Sequence, residues 1–419
     1  MRGARHSDVV VVGGGVLGCS AALHLKLRGC ESVALIERDR IGTGTSSAGA
    51  GLLARWSTGF VQSWGDDERE LETYGLDCYR ELSARGHELG FKETGVLFLG
   101  SHRVTGQRSL LPLMRHGALD DRAVLTPSEV EQLTEGFVRA SGVAGGIFDR
   151  RGGQVSAPAA ARALARRFSE LGGEDIEHEP VRSVRGGGTG GFVLETDSGL
   201  FTCETLVVAA GAWTNAILRG FGTWLPLVPL VATRLRTEPL PVSPALPAIQ
   251  FCDGRRIYLR RDDECLTWGC AYERAPRYAF VEDEPPYPLD GLSFDCVADM
   301  ERASHQLARA IPALSGSRTA RATHGAPCFT ADLKPLIGEL PSVPGLFVVA
   351  GDNYAGVTHA PGAGRLLAEL VTGAQDTSVD PYPYRPERFD DEYRNGAEVV
   401  SGMRVTAART VLAARTGAT

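Results

Sequence analysis

Three groups of residues in this chain have the types and spacing to do chemistry. Gly13, Gly15 and Gly18 form a G-x-G-x-x-G series. In such a series the first glycine permits a tight turn, the second lets backbone approach a pyrophosphate, and the third lets a helix pack closely on a strand. Glu37 stands about 20 residues further on, where a carboxylate accepts both hydroxyls of a ribose and repels a 2′-phosphate, which disfavours NADP. The second group is the small-residue stretch 42–53, GTGTSSAGAGLL, with hydroxyls at Thr45, Ser46 and Ser47. The third is Gly351-Asp352-Asn353-Tyr354-Ala355-Gly356, a turn opening a helix whose unpaired N–H groups suit an anion or a carbonyl.

Regular elements must position these groups. Asp8 to Val12 is a β-branched run that reads as a strand buried on both faces. A helix over 19–28, ended by Gly29, and a strand over 32–36 complete a βαβ unit of about thirty residues. Leu71, Tyr74, Cys78 and Leu82 share one helical face, with Asp66, Asp67 and Glu68 at its N-terminal end, where the helix dipole favours acids. Helices start near Thr126-Pro127 and near Ser156; Met300, Ala303, Leu307 and Ala310 mark another. The last helix is expected over 363–372. Strands are expected at 93–100, around Val181 and Val184, and at 206–211, 257–260, 266–269 and 345–351. The glycine run 186–191 reads as a hairpin tip. From Arg388 the tail is polar and Arg/Ala-rich, and its last residues are expected to fray or to form a surface helix.

Composition narrows the class. At 419 residues the chain is long for one compact domain, so two domains sharing a cleft are expected. Glycine is abundant, 51 residues, but 43% of the chain is hydrophobic and no G-X-Y period occurs, which excludes a disordered or collagenous chain. A net charge of −7 without a basic tail argues against nucleic-acid binding. The nine cysteines are scattered with no C-x-x-C pair, which argues against a zinc ribbon or disulfide framework. No His, Cys and acid cluster has metal-ligand spacing, so no metal is expected. No apolar run reaches the ~18 residues of a membrane span. Arg2, Arg5 and the apolar stretch from Val9 imitate a signal peptide, but Gly13-Gly14-Gly15 breaks it, so a cytoplasmic protein is expected. Lysine occurs only at Lys26, Lys92 and Lys334, read as the coding bias of a GC-rich bacterial genome, a context in which a role in specialised metabolism is expected.

NAD and FAD share the first motif. Three features favour FAD: the hydroxyl-bearing loop 42–53 directly after the second strand, the far-downstream strand ending Ala210-Gly211 with Trp213, and the turn at 351–356. A flavin needs such contacts along its ribityl chain and pyrimidine edge.

These segments together resemble the FAD-dependent D-amino-acid oxidase superfamily, in its glycine oxidase, sarcosine oxidase and dimethylglycine dehydrogenase branch. The matching stretches include VVVVGGGVLGCSAALHL, IERDRIGTGTSSAGAGLL, TLVVAAGAWTNAIL, IYLR, DLKPLIGELPSVPGLFVVAGDNYAGVTHAPGAGRLLAEL and VDPYPYRPERF, spanning nearly the whole chain. The resemblance implies an α/β (α+β) fold. A Rossmann-like FAD-binding domain of the glutathione-reductase type would take 1–60, 145–215 and 320–376. A mostly antiparallel substrate domain would take 61–144 and 216–319, with 377–419 as a C-terminal extension. Cofactor contacts are expected at Gly13, Gly15, Val16, Leu17, Gly18, Glu37, Arg38, Gly44, Thr45, Ser46, Ser47, Gly49, Gly51, Leu52, Val181, Ala210, Gly211, Trp213, Gly351, Asp352, Asn353, Tyr354, Gly356, Val357 and Thr358.

The implied reaction is oxidation of the C–N bond of a small amine or amino acid by hydride transfer to flavin N5. The imine hydrolyses and O2 takes the electrons as hydrogen peroxide. A dehydrogenase of an amine or 2-hydroxy acid using another acceptor, and a non-catalytic flavoprotein or assembly factor, are the alternatives. A substrate carboxylate needs cationic or hydroxyl donors. Arg55, just beyond the 42–53 loop, is the first candidate. Tyr258 and Arg260, alternating on the IYLR strand, come next, and His359 and His324 flank the flavin segments. The chain departs from the family where glycine oxidases carry an Arg, here Pro327 and Cys328, and where sarcosine oxidases carry a Lys, here Thr358 before His359. Sarcosine oxidases attach flavin through a Cys in this region, which raises Cys328 as a covalent site; non-covalent binding is the expectation. A monomer or a homo-oligomer is equally compatible with the sequence.

Overall fold

The run Val9–Val12 forms a strand in which every residue is buried, as expected for β-branched side chains with cover on both faces. It lies inside a six-stranded sheet ordered Leu336–Glu339, Leu346–Ala350, Thr205–Val208, Val9–Val12, Val33–Ile36 and Glu174–Ile176. Neighbours are parallel except for the antiparallel edge strand Leu336–Glu339. Strands from the start, middle and end of the chain thus meet in one sheet, a mixed α/β architecture. The computed structural model describes residues 4–55, 65–101, 122–252, 257–270, 279–280, 284–289, 296–351, 353–389 and 392–403.

One face of this sheet is covered by the helices Val16–Leu27, Ala157–Glu170 and Gly356–Val371, with Asp66–Ala84 packed outside them. The other face packs on an antiparallel hairpin layer through Val184, Phe192, Leu194 and Phe201. Residues 186–191 are the tip of that hairpin. A second sheet has eight strands in the order Thr319–Gly325, Ala232–Thr237, Cys265–Cys270, Ile257–Asp262, Ala248–Phe251, Val96–Ser101, Val143–Asp149 and Arg122–Leu125. It is antiparallel except between Ala248–Phe251 and Val96–Ser101. Its own apolar core, with Leu97, Leu235, Phe251, Leu259 and Trp268, packs on the helix Cys296–His305.

One expectation changes. The last helix begins at Gly356, not 363, and carries Pro361 inside it. Proline has no N–H for the carbonyl four residues back. That carbonyl belongs to Val357, and the buried Tyr79 hydroxyl donates to it at 2.7 Å. The helix therefore keeps its first turns despite the proline. The first part of the tail is anchored. Arg388 makes a two-pronged ion pair with Asp332, 2.8 Å on each arm, and Val399 and Val400 are buried. Residues beyond 403 lie outside the described residues.

His24 makes a testable contribution to this core. It is buried on Val16–Leu27, with Nδ1 at 2.8 Å from the Ser20 carbonyl and Nε2 at 3.0 Å from the Tyr74 hydroxyl. A carbonyl only accepts, so Nδ1 carries the proton and the neutral ring accepts from Tyr74 at Nε2. Burial holds its pKa down at about 4, against 6.5 when exposed. Between those values the unfolded chain binds the proton and the folded chain does not, so stability falls as pH drops through that window. Urea unfolding at pH 7 and pH 4.5 should show a loss of roughly 2–3 kcal/mol from this group, reduced in His24→Gln. An equal loss in both proteins would refute the assignment.

Candidate functional site

The turn after Val9–Val12 is shaped by its glycines. Gly13 has φ +114°, and a Cβ on Gly18 would overlap the Gly13 carbonyl oxygen. Gly15 is the N-cap of Val16–Leu27, and there a Cβ would meet nothing nearer than Ser46 Oγ at 3.6 Å. Gly18 is thus demanded by the fold itself, whereas Gly15 leaves open space in front of the helix N-terminus. Ser46 Oγ accepts from the Val16 N–H at 3.0 Å, which ties the 42–53 loop to that terminus. Thr45 Oγ1 accepts from the Ala326 N–H at 3.1 Å, and Arg234 donates to the Ser47 carbonyl at 2.8 Å. The loop is therefore clamped between the two sheets.

Glu37 ends the second strand. Its carboxylate accepts from the Gly14 N–H at 2.6 Å and the Asp39 N–H at 2.9 Å. Burial pushes its pKa up from the usual carboxylate value, and the two N–H donors pull against that shift. Arg38 sits in the corner of two perpendicular rings: its guanidinium carbon lies 3.8 Å from the ring centroid of Trp213 and 3.8 Å from that of Tyr287. Burial lowers its pKa.

A cleft of about 460 Å³ runs from this turn to the eight-stranded sheet. Along it lie Gly13, Gly15, Val16, Leu17, Glu37, Arg38, Gly44, Thr45, Ser46, Gly49, Gly51, Leu52 and Val181. Ala210, Gly211, Trp213, Asn353, Tyr354, Gly356, Val357, Thr358 and Tyr258 complete the expected residues that line it. Gly18 and Gly351 shape turns from behind the lining. Ser47 contributes its carbonyl to Arg234. Asp352 lies outside the described residues. The turn at 351–356 is held by Asn353, whose Oδ1 accepts from the Thr330 N–H at 3.1 Å and whose Nδ2 donates to the Gly351 carbonyl at 2.5 Å. Thr358 Oγ1 donates to the Leu52 carbonyl at 2.9 Å, joining the 351–358 turn to the 42–53 loop.

The far end of the cleft is a row across the eight-stranded sheet. Gln250 pairs with Tyr258, and Tyr258 with Gly269. A side chain at Gly269 would overlap the Tyr258 ring, so the glycine gives the phenol its place. Thr233, also in the lining, has its Oγ1 2.9 Å from His324 Nδ1.

Four expected residues sit elsewhere. Leu52–Leu53 pairs with Gly153–Gln154, which carries Arg55 to Asp149. There Arg55 donates at 2.8 Å within a buried ion pair, and it does not line the cleft. Arg260 shares the Tyr258 face of its strand, but its Nε donates to the Ala50 carbonyl at 2.7 Å and its Nη1 pairs with Asp262 at 3.3 Å. Arg260 thereby supports the loop from behind. His359 follows Thr358 by one residue, a rotation of about 100° on a helix. It turns away from the cleft to a buried site 3.8 Å from Glu72. Cys328 packs in the apolar cluster beneath the six-stranded sheet and does not line the cleft.

Several lining residues had no sequence signal: Glu179, Pro180 and Arg182 after the sheet's edge strand, Gln250, and Glu284 with Tyr287. Gln250 was readable only through its pairing with Tyr258.

The family described as FAD dependent oxidoreductase (DAO) matches residues 8–370. The chain belongs to that family. Among relatives of this DAO-family chain, 4-methylaminobutanoate oxidase (formaldehyde-forming) of Paenarthrobacter nicotinovorans is 30% identical, covering 90% of this chain and 45% of its own length. Human mitochondrial sarcosine dehydrogenase is 28% identical, covering 90% of this chain and 41% of its own. This chain thus spans less than half the length of those two relatives. Glycine oxidase of Geobacillus kaustophilus is 29% identical with 90% and 96% covered. Its crystal structure superposes with a TM-score of 0.76 at 26% identity, covering 92% of this chain and 99% of that one. Among the described residues no helix is long and apolar enough to cross a membrane.

Proposed function

We infer that this chain holds FAD in the cleft and oxidises the C–N bond of a primary or secondary amine, an amino acid or an N-substituted glycine. The observation that carries the reading is that one continuous cleft joins the glycine turn and Glu37 at one end to Gln250 and Tyr258 at the other. The relatives above are, by their names, oxidases and dehydrogenases of amino acids with free or methylated amines. The donor set fits a flavin dinucleotide. The open face of Gly15 and the Val16–Leu27 N-terminus suit its pyrophosphate, Glu37 its ribose, and the backbone of the 351–358 turn its ring edge. Binding is non-covalent in this reading, since Cys328 packs in an apolar cluster.

Bound FAD would supply the acceptor for the substrate hydride and the route of electrons to O2. The chain's own residues do the rest. Tyr258 and Gln250 present a hydroxyl and an amide to the substrate's carboxylate or carbonyl. Thr233, backed by His324, offers a further hydroxyl. The loop 42–53, clamped from both sides, keeps water from the reacting carbon. Addition of N-methylated or primary amino acids to the aerated protein should release hydrogen peroxide in step with substrate loss. Substrate turnover without peroxide, but with an added dye acceptor, would reassign the protein as a dehydrogenase.

A further inference from the structure

The residues 284–289 belong by sequence to the stretch expected in the substrate domain, yet they reach across to the turn that ends the βαβ unit. Four contacts fix them there. The Trp213 indole N–H donates to the Pro285 carbonyl at 2.8 Å. The Tyr287 hydroxyl donates to Asp39 Oδ2 at 2.6 Å. Glu284 forms an ion pair with Arg219. Leu289 is buried in the apolar cluster beneath the six-stranded sheet. The Tyr287 ring completes a corner around Arg38, edge-on to Trp213 with centroids 5.6 Å apart.

All of this happens beside Glu37, where the cleft suits the ribose, and both Glu284 and Tyr287 line the cleft. A guanidinium set in the corner of two perpendicular rings, with the Tyr287 ring tied down by a carboxylate, makes a rigid wall. Asp39 and Arg38 are in turn held by the strand that carries Glu37. Burial pushes the Tyr287 phenol up to about 12, so it stays protonated and keeps donating to Asp39 at physiological pH.

We propose that residues 284–289 are a strap over the adenosine end of the cleft, and that the Tyr287 stack on Arg38 and bond to Asp39 set the rate at which the dinucleotide leaves. This rests on the reading of the cleft as an FAD site. The adenosine is held between this strap and the strand end, so the whole cofactor has to wait for Tyr287 to lift before it can depart. The flavin end has no part in this gate.

The test is release of FAD from the holoprotein, followed by the rise in free-flavin fluorescence after large dilution into flavin-free buffer. Tyr287→Phe keeps the ring and loses the bond to Asp39; Tyr287→Ala loses both. Release should quicken several-fold in the first and ten-fold or more in the second. Far-UV circular dichroism of each variant should match wild type, which separates a lost strap from a lost fold. If Tyr287→Ala misfolds, Tyr287→Phe alone decides. Wild-type release rates in the folded variants would overturn the strap while leaving the FAD site intact. A wild-type protein that neither carries nor takes up FAD would overturn both.

Discussion

A Gly15→Ala protein should purify folded and colourless. Gly15 has φ −72° and ψ 175°, extended backbone that alanine adopts freely. Its Cβ would meet nothing nearer than Ser46 Oγ at 3.6 Å, so the polypeptide accommodates the methyl. The space it fills lies directly before the N-terminus of Val16–Leu27, where a pyrophosphate has to approach the N–H groups. FAD affinity of the apoprotein, measured by titration calorimetry, should fall on the order of a hundred-fold, equivalent to about 2.7 kcal/mol. The thermal midpoint of the apoprotein should hardly move. Gly18→Ala is the contrasting variant, because its methyl would strike the Gly13 carbonyl and the turn itself would fail. Wild-type FAD affinity in Gly15→Ala would refute the placement of the pyrophosphate at this turn.

Asp149→Ala should cost roughly 3–5 kcal/mol of stability, because it strands a buried cation. Asp149 is fully buried, and Arg55, 6% exposed, donates to it at 2.8 Å. Arg122 stands opposite Asp149 in strand register. Burial pushes Arg122 down to about 10, with the Asp149 charge the chief counterweight. Urea unfolding should show the loss in Asp149→Ala. The pair replacement Asp149→Leu with Arg55→Met should recover only part of it, since the stranded Arg55 charge is then gone while Arg122 still lacks its counterweight. A cost below ~1 kcal/mol would mean the pair contributes no more than an exposed one.

Much of this architecture was legible from residue patterns. Val9–Val12, Thr205–Val208 and Leu346–Ala350 are apolar runs that only a doubly covered sheet can bury. Glycines 13, 15 and 18 and Glu37 stand out because their spacing follows from turn geometry, and Gly13, Gly15 and Glu37 line the cleft. The far end of the cleft resisted reading for physical reasons. Arg55 finds its partner 94 residues away, through a strand pair that composition does not announce. His359 leaves the cleft because one helical step turns it to Glu72. Tyr287 carries no local pattern at all, and its role comes from tertiary contact with Arg38, Trp213 and Asp39.

If one cleft brings flavin and amine together, a bound amine must reduce the flavin without oxygen. Anaerobic mixing of the holoprotein with a panel of primary and N-methylated amino acids, followed at the visible flavin band, reads that step. At least one member should bleach the band, and Tyr258→Phe should slow or weaken that bleaching. A flavin that stays yellow with every amine in the panel, yet bleaches with dithionite, would contradict it.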